Sequence, residues 1–500
     1  MNLSKTKYCK GQQCPKMLWM DQYHPEEYDE NVSDESRFEI GNEVGDLAMS
    51  YFGEFTEVPY SKNLNEMVVT TQALLAAKTP VIAEATFIYE GDVCLVDILR
   101  LTEKGYQLIE VKSSTNSATY GLKKIKPTYF DDMSYQVYIL KKCGIEINEV
   151  FLMQLNSDYV FYDKLDLQKL FILTDCTQTV MLKQKFLPEN IALIKATVAE
   201  SAEPPAIIGS NCDDPYTCGY KQWCFKGLPS DNVFTIGWRL RGDKKDQLYQ
   251  SGIVSFRDVI FNDIPLTGKQ RNQVLATLHN LPPQVDTEAL NVFLAALRYP
   301  MYFLDFETYQ QVIPQYNGVR PYSQIPFQYS LHIQEEKLGP LSHKEFLGES
   351  GKDPRRLLAE KLCADIPVDS YVVAYNSSFE KARLNDLAAL FPDLRTHLLN
   401  IVEHLYDLAH PFEYGIVYYR EMKGSYSIKT VLPALCPDDP QLDYHNLDLI
   451  HNGDEAMKAY ATLHLQSPQE IAEIRRALLA YCRLDTLAMV KILEKLYQLS

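Results

Sequence analysis

Residues 94–114 read CLVDILRLTEKGYQLIEVKSS, two stretches rich in Val, Ile and Leu on either side of Thr102-Glu103-Lys104-Gly105. Two such runs broken by a Lys-Gly pair predict a β-hairpin, because glycine supplies the backbone freedom that a tight turn needs. Folding about the centre of that turn sets Asp97 across from Glu110, since the two lie equally far from it. Side chains alternate faces along a strand, so Lys112 shares a face with Glu110. The hairpin therefore predicts two carboxylates and an ammonium at one spot. Such hard oxygens can hold Mg²⁺ or Mn²⁺, and the lysine can orient a nucleophile at a phosphate. A surface hairpin with solvated charges carries the same short pattern.

A second set of acids lies in the last two hundred residues. YPMYFLDFET (299–308) predicts a buried strand on which Asp305 and Glu307, two apart, share a face about 7 Å apart along the backbone. VVAYNSSFEKARL (372–384) predicts a strand ending at Asn376, then a helix start that carries Glu380. In YCRLD, Tyr481 and Asp485 stand at i and i+4 and so share one helical face. That helix is predicted to begin at Ser467-Pro468-Gln469-Glu470, which joins an N-cap serine, a proline at the first helical position and a capping-box glutamate. Four acids drawn from a strand and two helices are what a two-metal phosphodiester hydrolase requires, and Tyr481 would position the attacking water. Each motif taken singly reads equally as a solvated acid or a helix cap.

The cysteines divide into two groups. Cys212, Cys218 and Cys224 follow a C-x5-C-x5-C spacing in NCDDPYTCGYKQWC, and Cys14 in QCPKMLW offers a fourth thiolate. Four thiolates suit a tetrahedral zinc site or a cubane cluster, while reduced core cysteines remain the plain alternative. The seven others (Cys9, Cys94, Cys143, Cys176, Cys363, Cys436 and Cys482) read as small core residues, with Cys9 notable for its closeness to Cys14.

Five hundred residues exceed one hydrophobic core, so several domains are expected: 1–230, a small helical connector at 231–295, and 296–500. In the connector, KKDQLYQSGIVSFRDVIF and LTGKQRNQVLATLHNL resemble a helix-hairpin-helix unit, whose turn can offer N–H groups to a phosphate; an ordinary helical linker fits as well. The absence of a long apolar run or an apolar N-terminal leader predicts a cytoplasmic protein with no membrane partner. The net charge of −17 argues against a nucleic-acid footprint, but metal sites need clustered carboxylates whose sign a bound cation reverses.

The first region resembles the RecB-like, iron–sulfur branch of the PD-(D/E)XK nucleases. The match runs through Cys14, Glu43 in GNEVGDLA, Asp97, Glu110-Val-Lys112, Gln136 in SYQVYIL and the three late cysteines. That resemblance implies a restriction-endonuclease-like domain clasped by a [4Fe–4S] cluster (zinc being the alternative). It also implies Glu43 as a further metal ligand and Gln136 as a backbone or substrate contact. Glu84 in IAEATF is read as structural. The order D-x-E, N-x3-E, Y-x3-D resembles the tyrosine-bearing DEDD exonucleases of the RNase H-like fold, except that the middle motif ends in Glu380 where aspartate is usual. YDLAH with Asp407 and GSYSIKTVLPAL sit where such exonucleases place comparable helices. The pairing implies an α/β metal-dependent nuclease acting on single-stranded DNA or RNA, with 3′→5′ polarity at the second site. A nucleic-acid-binding scaffold with degenerate sites is the other reading.

Overall fold

The computed structural model describes residues 1–32 and 35–500, and the side chains of residues 35–40 lie outside that description. The chain is mixed α/β and divides into two compact units, residues 1–228 with 312–321, and residues 229–311 with 322–500. No helix among the described residues is long and apolar enough to cross a membrane.

The first unit is built on a six-stranded sheet in the order β1 (Thr56–Glu57), β2 (Val81–Tyr89), β3 (Asp92–Thr102), β4 (Gly105–Asn116), β5 (Ile147–Asn156) and β6 (Phe171–Asp175). The predicted hairpin is β3–β4, closed at Thr102 opposite Gly105 and running in register to Ile98 opposite Ile109. One more step along that register sets Asp97 across from Glu110. The helices Lys5–Gln13 and Pro127–Lys142 pack together beside β3.

An irregularity in β2 and β3 breaks simple alternation. Ile82 and Leu99 on one side of it, and Ala85, Phe87, Cys94 and Val96 on the other, belong to one buried cluster. Strand side chains alternate with period two, so one face can hold both sets only if the strands turn over between them. The turnover falls at Glu84 and Asp97, where the pairing of β2 with β3 lapses. Glu84 adopts φ +54°, a left-handed conformation uncommon for a residue with a side chain and typical of strained functional positions.

The second unit holds a five-stranded sheet in the order β10 (Leu341–Leu347), β9 (Gln324–Gln334), β8 (Met301–Gln310), β11 (Tyr371–Ala374) and β12 (Leu405–Asp407). β8, β9 and β10 are antiparallel, whereas β8, β11 and β12 run parallel. A two-stranded pair, β7 (Gln284–Val285) with β13 (Val417–Tyr418), stands apart. Residues 231–295 group with this unit and carry a small core of Val233, Ile236, Leu248, Phe256, Val259 and Val274. There the helices Gly242–Gln250 and Phe256–Phe261 flank a turn containing Gly252 at φ +78°.

β8 is buried on both faces. Tyr302, Leu304 and Phe306 join the core made with helices Arg355–Asp365, Ser378–Leu390 and Arg395–Glu403. Met301 and Phe303 join the core made with helix Pro468–Leu499. Parity therefore sends Asp305 and Glu307 to the face covered by that long helix. Its N-terminus is the predicted one: Ser467 accepts from the Glu470 N–H, and the Glu470 carboxylate accepts from the Ser467 N–H.

Buried polar bonds fix the rotation of this helix against the sheet. Gln328 donates to the Leu478 carbonyl at 2.8 Å, and the Thr486 hydroxyl lies 2.7 Å from both Ser330 Oγ and His332 Nδ1. Ser330 in turn lies 2.9 Å from His343 Nε2. Burial lowers the histidine pKa values to about 3 for His332 and about 4 for His343, so both are neutral at physiological pH. Thr486→Val keeps the shape and strips the hub from this network; it is expected to cost about 1–3 kcal/mol in chemical denaturation. An unchanged midpoint would show that the network does not hold the helix.

Candidate functional site

In the first unit, Glu110 is fully buried and surrounded by donors. Its Oε1 lies 2.5 Å from Lys112 Nζ, and its Oε2 accepts from Gln136 Nε2 at 2.5 Å. Lys112 also pairs with Asp132 at 2.7 Å, and Gln136 donates to the same aspartate at 2.9 Å. Asp97 accepts the Val111 backbone N–H at 2.7 Å, which pins it to the neighbouring strand. Asp97, Glu110, Lys112 and Gln136 thus come together. Glu43 is exposed on helix Glu35–Met49 and is not among the described members of this network.

Two members, Lys5 and Asp132, were not singled out from the sequence, and Glu84 was read there as structural. Lys5 sits between the two hairpin acids, 3.1 Å from Asp97 Oδ1 and 3.1 Å from Glu110 Oε1. Burial pulls its pKa down, but Asp97 and Glu110 outweigh that and hold it well above the usual lysine value. Asp132 lies one helical turn before Gln136, a spacing that was readable. Glu84, read as structural, feels the field of Asp97; burial and that neighbour push its carboxyl up to about 7. The network holds two ammonium groups against Asp97, Glu110 and Asp132, and it leaves Gln136 Oε1 buried without a hydrogen-bond partner.

The four predicted cluster cysteines line one cavity together with Met17, Met20 and Tyr220. Burial raises each thiol, Cys218 to about 11, and neighbouring thiols raise Cys212, Cys218 and Cys224 further. Cys9 lies apart, against the Thr128 carbonyl. Among the described residues, three carboxylate, thiol or imidazole ligand atoms come within 4.8 Å of one another only at Asp305, Glu307 and Cys482.

In the second unit, Asp305, Glu307, Glu380 and Asp485 converge. Burial first, and Asp485 next, hold Asp305 and Glu307 well above ordinary carboxyl values, and Glu380 adds to both. Asp485 is raised to about 6 by burial and Glu380 to about 8 by burial and Asp407. Glu380 is 3% exposed, and its Oε2 has no hydrogen-bond partner. Its helix is aimed by Asp407, which accepts the N–H groups of Asn376, Ser377 and Ala409 at 2.8–3.0 Å and holds Asn376 at φ +60°.

Tyr481 faces Asp485 as predicted, and a second tyrosine joins it: Tyr444 donates to Asp485 Oδ1 at 2.6 Å. Lys429 Nζ lies 5.3 Å from both ring centres and is the cation that lowers Glu307 and Asp485. Tyr444 comes from a short 3-10 turn and Lys429 from the start of helix Ile428–Leu435. Neither carries a spacing that would mark it in the sequence.

Residues 302–427, which include Asp305, Glu307 and Glu380 but stop short of Asp485, match a family described as "Domain of unknown function (DUF2779)". The chain is 28% identical over 219 residues to "Uncharacterized protein MG366" of Mycoplasma genitalium, covering 38% of this chain and 31% of that one. It is 27% identical over 207 residues to "Uncharacterized protein UU173" of Ureaplasma parvum serovar 3, covering 39% and 29%. The chain thus spans less than a third of the length of these curated relatives. No solved structure matches it.

A carboxyl whose pKa is raised by folding stabilises the fold only while protonated. That contribution is complete below the unfolded value of about 4 and is lost as pH rises through the folded values of about 6 and 8. Asp305→Asn should therefore raise the metal-free melting temperature more at pH 8.5 than at pH 5, by about 2–4 °C for each kcal/mol of repulsion relieved. An equal shift at both pH values would count against the electrostatic account. Lys5→Met should lower the melting temperature of the metal-free protein, and Mn²⁺ should restore it; a loss that Mn²⁺ leaves unchanged would show that the lysine stands in no cation's place.

Proposed function

We propose that this chain is a metal-dependent nuclease with two separate sites that hydrolyse phosphodiester bonds of single-stranded DNA or RNA. The first unit is read as a RecB-like PD-(D/E)XK domain. The second is read as an RNase H-like exonuclease of the tyrosine-bearing DEDD type, working from 3′ ends. The observation that carries the proposal is the convergence of Asp305, Glu307, Glu380 and Asp485 from one strand and two helices, beside Tyr481. Four acids crowded into a poorly solvated place are unfavourable alone and favourable around divalent cations.

Asp305, Glu307, Glu380 and Asp485 would hold Mg²⁺ or Mn²⁺ at the second site, and Asp97 and Glu110 at the first. When bound, such ions supply the Lewis acidity that activates water and balances charge on the phosphate. Tyr481 and Tyr444 keep their protons, raised by burial and by Asp485, and so act as hydrogen-bond donors that orient water or phosphate oxygens. Lys429 offers a positive charge beside the acids. Lys112, held charged by Asp132 and Glu110 despite its burial, does the same at the first site. Cys14, Cys212, Cys218 and Cys224, which line one cavity, would hold a [4Fe–4S] cluster as a structural clasp, with a single zinc ion as the alternative.

A scaffold reading draws on a specific observation, the occupation of the space between Asp97 and Glu110 by Lys5. A permanently lysine-filled first site would bind nucleic acid without cutting it.

Anaerobic purification followed by a visible spectrum should reveal the broad absorbance of an iron–sulfur cluster; a colourless, zinc-containing protein would replace the cluster with a single ion. End-labelled single- and double-stranded DNA and RNA, incubated with Mg²⁺, Mn²⁺ or Zn²⁺, should then be cut by the wild type. Asp305→Ala is expected to abolish trimming from 3′ ends and to leave the first site active, whereas Asp97→Ala should do the reverse. Loss of both activities in either variant would refute two independent sites, and no cleavage of any substrate would hand the case to the scaffold.

A further inference from the structure

We propose that Cys482 is a ligand of the second metal centre and makes it selective for a borderline-soft divalent ion such as Zn²⁺ over Mg²⁺. The inference rests on the reading of that centre as a metal site and adds to it a sulfur donor.

Three observations carry it. Cys482 Sγ lies 3.7 Å from Asp305 Oδ2, and one ligand atom from each of Asp305, Glu307 and Cys482 falls within 4.8 Å of the others. Ligands about 2.0–2.3 Å from a tetrahedral ion are separated by about 3.3–3.8 Å, so this trio needs only a small contraction to close on one cation. Next, Cys482 stands one helical turn before Asp485 on helix Pro468–Leu499, so both project toward β8 from one side. The bonds of Gln328 and Ser330 to that helix hold it in this rotation. Finally, Glu380 is 3% exposed and keeps one carboxylate oxygen unpartnered beside the same acids, so the cluster has coordinating capacity that no protein donor uses.

The chemistry of the donors decides the ion. An all-oxygen set suits Mg²⁺, which demands near-ideal octahedral oxygen coordination, whereas a thiolate favours Zn²⁺ and its neighbours in the first transition row. On coordination the S–H bond gives way to a sulfur–metal bond, and the proton leaves to solvent; no oxidant or reductant takes part. A buried cysteine packing as a small apolar residue would fill the same space but would not discriminate between ions.

The test uses the full chain, purified anaerobically with its four-cysteine centre filled. Binding of Zn²⁺, Co²⁺ and Mg²⁺ is measured for the wild type, Cys482→Ser, Cys482→Ala and Asp305→Ala. Cys482→Ser is expected to weaken Zn²⁺ binding on the order of 100-fold and Mg²⁺ binding less than about 3-fold. The Co²⁺ difference spectrum of the wild type should contain a thiolate charge-transfer band that is missing in Cys482→Ser and Cys482→Ala. Near-native circular dichroism in the serine variant excludes misfolding, and the alanine variant excludes ligation by the new hydroxyl. Equal losses for Zn²⁺ and Mg²⁺, or identical Co²⁺ spectra, would overturn the role of Cys482 alone. Absence of binding by any of the three ions at the Asp305-dependent site would overturn the metal-site reading beneath it.

Discussion

Carboxylates gathered out of water repel one another, and each candidate site answers that constraint differently. In the first unit, Glu110 is buried completely, yet Lys5, Lys112 and Gln136 surround it, so the charge is met by the protein itself. In the second, burial raises the Asp305, Glu307, Glu380 and Asp485 carboxyls, and the cations set against them are few: Lys429 at Glu307 and Asp485, and Arg383 at Glu380. A self-neutralised cluster is stable and must be opened before an ion enters. A crowded acid cluster with few cations resists ionisation and favours divalent ions that relieve the repulsion.

The surrounding structure serves that difference. β8 is packed on both faces, which fixes the depth of Asp305 and Glu307, and the Ser330–Thr486–His332 bonds fix how far the long helix is turned toward them. Asp407 pins the start of the Glu380 helix through the backbone N–H groups of Asn376 and Ser377. In the first unit the turnover at Glu84 and Asp97 lets one pair of strands serve the apolar core and still turn an acid toward the helices.

What could be read from the sequence was whatever depends on short spacing. The Asp97–Glu110 pairing follows from counting outward from a tight turn, the shared face of Asp305 and Glu307 from period two, and the helix start at Ser467 from a capping box. Three of the four cysteines were marked by their C-x5-C-x5-C spacing, with Cys14 offered as the fourth, and one cavity collects them. What escaped depends on long-range packing. Lys5 lies 92 and 105 residues from its two acids, and Tyr444 lies 41 residues from Asp485. Cys482 reads as a core residue because burial is all that its apolar neighbours announce, and only the folded chain sets its sulfur against Asp305. The positive φ at Glu84 has no local mark, since nothing but the tertiary fold requires an acid to take a shape that suits glycine.

The first helix closes the account. Lys5 begins it, and Cys14 caps its end while starting the next helix, so one rod of nine residues, about 14 Å long, joins the hairpin's counter-ion to the thiol cavity. Anything that loosens the cavity end, such as oxidation of its thiols, would slacken the tether that seats the ammonium. Damage at the sulfur end would therefore be felt as altered charge balance at the hairpin, with no atom of the hairpin itself changed.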